Sequence, residues 1–230
     1  MYNSLSAIEG LAARGTAAAG FPAKLPLAAA VFLLTLLAGD IALGLLHVAS
    51  PEGALLGLST NVSVDNGLAE FFQYAKALCA AGMMAAVAWR TRETIYLGWC
   101  LLFSYIFVDD AFLLHERGGR TFVKLFGIDS AFHLRAQDFG EAIVFGIAAI
   151  VCFGVIALAC PGASRTARRR SLVLAALIAA LAGAGIALDF LGIRLSSAFL
   201  GGAEDFAEML ILSVTATVAL VMALSSRRRD

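Results

Sequence analysis

Long runs of apolar residues, separated by short polar segments, make up most of this chain. The alternation with a period of two that is typical of strands is absent, whereas each run approaches the roughly 20 residues that a helix needs to cross a hydrocarbon core of about 30 Å. The pattern predicts six membrane-spanning helices, at roughly Leu25–Val48, Leu68–Trp89, Thr94–His115, Ala136–Cys160, Ser171–Ile193 and Ala203–Ser225. The predicted fold is therefore an all-α polytopic bundle, with a cytoplasmic segment at 1–24, a transmembrane domain at 25–225 and a basic tail at 226–230.

The composition supports this fold class. The 230 residues are 60% hydrophobic and only 15% charged, with a mean hydropathy of +0.86. A soluble domain of this size does not bury so much apolar surface. Residues 48–50 resemble a signal-peptide cleavage site, but the long preceding tail and Asp40 inside the first run favour a retained helix. The four cysteines lie within predicted helices without CxxC spacing, which predicts neither a disulfide framework nor a thiolate metal site.

Basic residues alternate between the two sets of loops and predict the orientation. Eleven of them fall on the side of the two termini: Arg14, Lys24, Arg90, Arg92, Arg165, Arg168, Arg169, Arg170, Arg227, Arg228 and Arg229. Because positively charged loops stay in the cytoplasm, the sequence predicts a plasma (inner) membrane protein with both termini cytoplasmic. The basic clusters are the ones that orient the chain, so nucleic acid is not expected as a partner.

Acidic residues have the opposite bias. Only Glu9, Glu93 and Asp230 fall on the cytoplasmic side, so fourteen of the seventeen carboxylates lie in the extracytoplasmic half. The formal net charge of zero conceals a charge of +8 on one side and −8 on the other. Several of these acids interrupt apolar runs, where burial costs a few kcal/mol or more and a functional role is the default interpretation.

The six runs can be grouped into three helical hairpins with matching acids, which suggests an internal repeat. The first helix of each hairpin carries an acid near its outer end: Asp40, then Asp109 and Asp110, then Asp189. The second helix opens with an acid, a phenylalanine, any residue and an acid or amide: Glu70 to Gln73, Asp138 to Glu141, and Asp205 to Glu208. Residues at i and i+3 share a helix face, so each tetrad directs two oxygen-bearing side chains the same way. Such acids could act only by interacting favourably with the helix dipole. Several of them, however, lie well inside the predicted helices, which favours a shared polar pocket.

This pocket is predicted to bind a cation. The candidate metal ligands are Asp109, Asp110, His115, Glu116, Asp138, Glu141, Asp189, Glu204, Asp205 and Glu208, with Asp40, Glu70, Gln73 and Lys76 as secondary members. So many carboxylates require protons, a metal ion or basic side chains to neutralise them. A donor set rich in oxygen favours calcium, magnesium or manganese over iron or zinc, and neither the HExxH nor the Glu-x-x-His spacing is present.

His115 and Glu116 are the candidate catalytic residues. Asp109 and Glu116 are seven residues apart, which is two turns of helix, so they share a face. A structural histidine is the alternative for His115, and His47 and His133 have weaker claims as ligands. Lys76, about two turns inside the second helix, is expected to pair with nearby acids, and Arg194 with Asp189.

The longest outer connection, residues 116–135, intersperses basic and apolar residues. It could form an amphipathic segment on the outer surface that acts as a lid over the acids, or a loop whose arginines pair with nearby carboxylates.

Three functions remain open at this point. The acids favour a cation-binding membrane protein that transports or handles a divalent metal or protons. A metal-dependent enzyme acting on a lipid or other substrate at the outer leaflet is the alternative. The third is an accessory subunit or assembly factor of a membrane complex. The expected partners are the lipid bilayer, a metal ion or proton, and a second copy of the chain or a membrane-complex partner.

Overall fold

The computed structural model describes residues 27–131, 134–195 and 198–226, with side chains outside 186–201. Within these ranges the chain forms seven helices and one short hairpin: α1 (Leu27–Ala49), β1 (Ala54–Leu55), β2 (Leu58–Ser59), α2 (Leu68–Thr91), α3 (Ile95–Phe112), α4 (Leu114–Phe126), α5 (Ala136–Ala159), α6 (Arg165–Leu195) and α7 (Ala198–Ser225). The predicted segment 1–24 and residues 227–230 of the tail lie outside the described residues.

The all-α class is confirmed. In the described part of the chain, five helices are long and apolar enough to cross a membrane: α1, α2, α3, α5 and the Gly202–Ser225 part of α7. α6 covers the fifth predicted run, so a helix covers most of each predicted run. The count of six spans stays a prediction.

α2 lies at the centre of the bundle. It packs against α3 on one side and α7 on the other, while α6 packs on α7 and α5 packs on α3. α1 contacts α7 far more than it contacts α2. The three predicted hairpins therefore differ in their packing, and their threefold relation stays a prediction.

The two ends of the bundle differ in chemistry. We call the end at which α1 and α3 finish and α2 and α7 start the acidic end, and the opposite end the basic end. At the basic end Glu93 accepts a hydrogen bond from the Ser164 N–H (3.0 Å), and Arg170 donates to the Ser225 hydroxyl (2.8 Å). Between the ends lies an apolar core that includes Met84, Trp99 and Met222, each with no exposed surface.

The third predicted run contains a break that the sequence analysis did not anticipate. α3 ends at Phe112, and Leu113 adopts a left-handed conformation (φ 51°) before α4 begins. The expectation that Asp109 and Glu116 share a face of one continuous helix is therefore wrong. The break separates them because a left-handed residue changes the direction of the helix axis.

The amphipathic segment predicted within 116–135 is confirmed as helix α4, which packs along α5. Gly119 and Gly140 make this packing possible: a Cβ on Gly119 would lie 2.8 Å from the backbone nitrogen of Glu141, too close for any side chain. The alternative interpretation also holds in part, because Arg120 pairs with Glu116 (3.0 Å) and Arg135 with Asp138 (2.7 Å). The lid role stays a prediction.

A buried ion pair joins three helices. The Lys76 ammonium on α2 lies 2.8 Å from Asp40 of α1, and their exposures are 2% and 0%. Lys76 also donates to the Met209 carbonyl (2.9 Å) and the Ser213 hydroxyl (3.2 Å) of α7, and Ser213 donates to Asp40 (2.5 Å). The prediction that Lys76 forms an internal salt bridge is confirmed.

Replacing Lys76 with methionine should lower the free energy of unfolding by about 3–5 kcal/mol, because it leaves the Asp40 carboxylate buried without a counter-charge. Denaturant unfolding in detergent micelles measures the change. Arg120→Gln, which removes an exposed ion pair, is the control and should cost less than about 1 kcal/mol. Equal stability of Lys76→Met and the parent protein would contradict the assigned role.

Candidate functional site

The site is built around the junction of α3 and α4 at the acidic end. Asp109, in the last turn of α3, is 1% exposed. Its Oδ1 accepts hydrogen bonds from the backbone N–H of His115 (2.9 Å) and from the Tyr105 hydroxyl (3.1 Å). The first N–H groups of a helix have no partner within the helix, so this carboxylate acts as a cap for α4. A carboxylate in the last turn of α3 therefore caps the start of α4.

His115 is held by the other oxygen of Asp109. Its Nδ1 lies 2.9 Å from Oδ2, and its ring stacks on Phe145 of α5 with the centroids 5.0 Å apart. A proton on Nδ1, directed at the carboxylate, leaves Nε2 as the nitrogen that can accept a proton or bind a metal.

Asp110 completes a group of three ligand-bearing residues. One ligand atom each from Asp109, Asp110 and His115 lies within 4.8 Å of the others. Asp109 is satisfied by its three contacts, whereas the Asp110 carboxylate accepts no hydrogen bond from the residues that the structure describes. Its charge interacts with those of Asp109, Glu70 and His115.

α7 contributes a second set of acids. The charge of Glu208 interacts with those of Glu204, Asp205 and Asp110, so the α3 and α7 acids lie within electrostatic range of one another. Asp205 accepts a hydrogen bond from the Ser63 hydroxyl. The Glu208 carboxylate, like that of Asp110, accepts none from the described residues. It lies against Gly185 of α6, where an added Cβ would come within 2.7 Å of Oε1.

Glu70, at the start of α2, reaches the same region through Tyr74. The Tyr74 hydroxyl lies 2.6 Å from Glu70 Oε2 and 3.2 Å from the Asp110 carbonyl oxygen. The backbone N–H of Asn66 also donates to Glu70 (2.5 Å). Glu70 is thus satisfied locally while its charge still faces Asp110.

Other predicted site residues have local partners. Glu116 pairs with Arg120, and Asp138 accepts hydrogen bonds from the backbone N–H (2.8 Å) and the guanidinium (2.7 Å) of Arg135 at the start of α5. Gln137 donates to Glu141 (2.8 Å) and to the Glu116 carbonyl oxygen (2.9 Å).

The remaining members of the predicted set divide into two groups. Asp40 and Lys76 bind each other deeper in the bundle, and Gln73 is half-buried on α2. The side chains of Asp189 and Arg194, and all of His133, lie outside the described residues.

A family model described as a domain of unknown function (DUF8692) matches residues 25–224. The chain belongs to this family. The matched region takes in the whole helical bundle apart from the last residue of α7, and so contains every residue of the site. No curated protein and no solved structure matches the chain.

The sequence analysis did not identify Tyr74 and Tyr105 as members of the site. Tyr105 precedes Asp109 by four residues and Tyr74 follows Glu70 by four, and each hydroxyl lies within hydrogen-bond distance of its partner acid. Residues at i and i+4 on a helix are neighbours, so this spacing was a usable signal. Ser63 and Ser213 gave no such signal, because their acids come from distant parts of the chain.

Substitution of Asp109 and Asp110 should separate their roles. Asp109→Asn weakens charge-assisted hydrogen bonds worth about 1.5–3 kcal/mol each and should increase hydrogen exchange in the first turn of α4. Asp110→Asn breaks no hydrogen bond of the described structure and should leave that exchange unchanged. Exchange measured by mass spectrometry on the purified protein tests both, and equal exchange in the two variants would contradict the capping role of Asp109.

Proposed function

We propose that this protein is a multi-pass membrane protein that binds a cation in its extracytoplasmic half, and that it works in cation transport or handling. One observation carries the proposal: Asp109, Asp110 and His115 converge to within 4.8 Å at a helix junction. Asp110 and Glu208 add carboxylates that have no hydrogen bond in the described part of the chain. A cation would supply the counter-charge that they lack.

The proposed placement follows from the apolar helices and the charge bias together. Five helices have the length and hydropathy of membrane spans, and α6 is proposed as the sixth. The basic end would face the cytoplasm with both termini, in the plasma (inner) membrane, and the acidic end would face outward. The proposed pseudo-repeat of three hairpins belongs to the same arrangement.

The geometry suggests that the residues of the site have different roles. Asp109 is engaged with His115 and Tyr105, so it is proposed to orient the ring rather than to bind the cation directly. His115 Nε2 and Asp110 would then bind the cation, and the charge of Glu208, which interacts with that of Asp110, would add to the attraction. One nitrogen with carboxylate oxygens suits manganese well, and it admits calcium, magnesium, iron or zinc with different affinities. A bound proton on Asp110 or Glu208 is the other form that the cation could take.

Binding is better supported than open conduction. The Asp40–Lys76–Ser213 cluster fills the bundle interior one turn beyond Glu208 along α7, and every member has a partner. Beyond it the interior contains Ala80, Met84 and Met222, all fully buried and apolar. A cation would therefore enter and leave from the acidic end.

The enzyme alternative also has an observation in its favour. A buried carboxylate that holds histidine Nδ1 is an arrangement that orients a general base. A metal bound beside His115 would activate water, and the ring would accept its proton. Turnover of a substrate at the outer leaflet would favour this role over cation handling.

Manganese binding to the purified protein tests the proposal. Asp110→Asn and His115→Gln should each weaken binding by more than about 100-fold, whereas Asp109→Asn should weaken it by about 10–100-fold because it acts through the ring. Isothermal titration calorimetry in detergent, repeated with magnesium, calcium and zinc, provides the measurement.

Asp129→Asn, an exposed acid in the loop after α4, is the matched control and should leave binding unchanged. Absence of binding of any of the four metals, together with no pH-dependent behaviour, would overturn the proposal. Cation flux into liposomes that contain the protein then distinguishes transport from binding alone.

A further inference from the structure

α4 has two faces of opposite character. His115, Gly118 and Gly119 face α5, where they meet Phe145, Val144 and Glu141. Arg117, Arg120 and Lys124 are exposed. At about 100° per residue, these three fall within an arc of about 60° on the side of the helix opposite α5. We call them the basic stripe.

The basic stripe is poorly neutralised by the protein itself. Arg120 pairs with Glu116, but about half of the Arg120 side chain is exposed (53%). The side chains of Arg117 and Lys124 make no hydrogen bond or ion pair with the residues that the structure describes. They lie seven positions apart, so the stripe is about 10 Å long.

The position of α4 places this stripe beside the bilayer. α4 runs antiparallel to α5: His115 lies level with Phe145, and Gly119 level with Gly140 and Glu141. α5 is a candidate span that begins at Ala136, so the stripe lies alongside its first turns. Basic side chains at this depth extend their charged ends to the lipid headgroups. Leu125 and Phe126, 70% and 64% exposed, follow the stripe at the end of α4 and supply apolar contact at the interface.

We propose that the basic stripe of α4 binds the headgroup of an anionic phospholipid in the outer leaflet. The two arginines would take the phosphate through paired N–H groups, and Lys124 would add a third positive charge. This site rests on the proposed membrane placement of α5, and it is independent of cation binding at Asp110 and His115.

A local reporter can test the stripe without interference from the arginines at the basic end. Leu125→Trp places an indole beside the stripe, and the protein is reconstituted into vesicles that contain brominated phosphatidylglycerol or brominated phosphatidylcholine at equal content. The expected result is stronger quenching by the brominated phosphatidylglycerol than by the brominated phosphatidylcholine. The same protein without Leu125→Trp gives the fluorescence of Trp89 and Trp99, which is subtracted. Combined Arg117→Gln, Arg120→Gln and Lys124→Gln should reduce this preference by about fivefold or more.

The controls distinguish an effect of the charge of the basic stripe from misfolding of a variant and from a wrong membrane placement. Arg117→Lys with Arg120→Lys keeps the charge and should retain a preference, and size-exclusion profiles check that each variant folds. Equal quenching by the two lipids, or a preference that survives neutralisation of the stripe, overturns the lipid site. Absence of quenching by either lipid overturns the membrane placement itself, whatever the outcome of the manganese titration.

Discussion

The buried carboxylate of Asp109 is the constraint on which the acidic end depends. A carboxylate that is 1% exposed is stable only if hydrogen bonds replace the water that it loses, and here three contacts do so. Two of them come from His115, which can reach back only because Leu113 turns the chain. The start of α4 and the position of the imidazole therefore both depend on the Asp109 carboxylate.

The acids of this protein fall into two classes once their partners are known. Asp40, Glu70 and Asp138 are each bound to a neighbouring donor, so their roles in the fold are accounted for. Asp110 and Glu208 have no such donor in the described part of the chain, although their charges interact with one another. An acidic cluster alone says little about function, but this separation shows that the first class has partners in the fold, and the second class contains the acids for which we propose cation binding.

The amino-acid sequence predicts the parts of this fold that depend on local composition. Apolar runs located the five helices that are long and apolar enough to cross a membrane, and the isolated charge of Lys76 predicted a buried pair. It does not predict the break at Leu113, because leucine has no preference for a left-handed conformation. The serine partners of Asp205 and Asp40 were hidden for a different reason: Ser63 and Ser213 lie more than a hundred residues away from them in the chain.

The Asp40–Lys76 pair sets a condition on any transport cycle. α1 packs mainly on α7 and touches α2 little, so this pair is its principal polar link to α2. The same pair fills the interior between the acidic site and the apolar core. A path through the bundle would have to separate Asp40 from Lys76, and a separated pair would leave two charges unpaired in a medium of low dielectric constant. Entry of a cation or proton beside Asp40 would offset part of that cost, so conduction and cation binding would be coupled at this point.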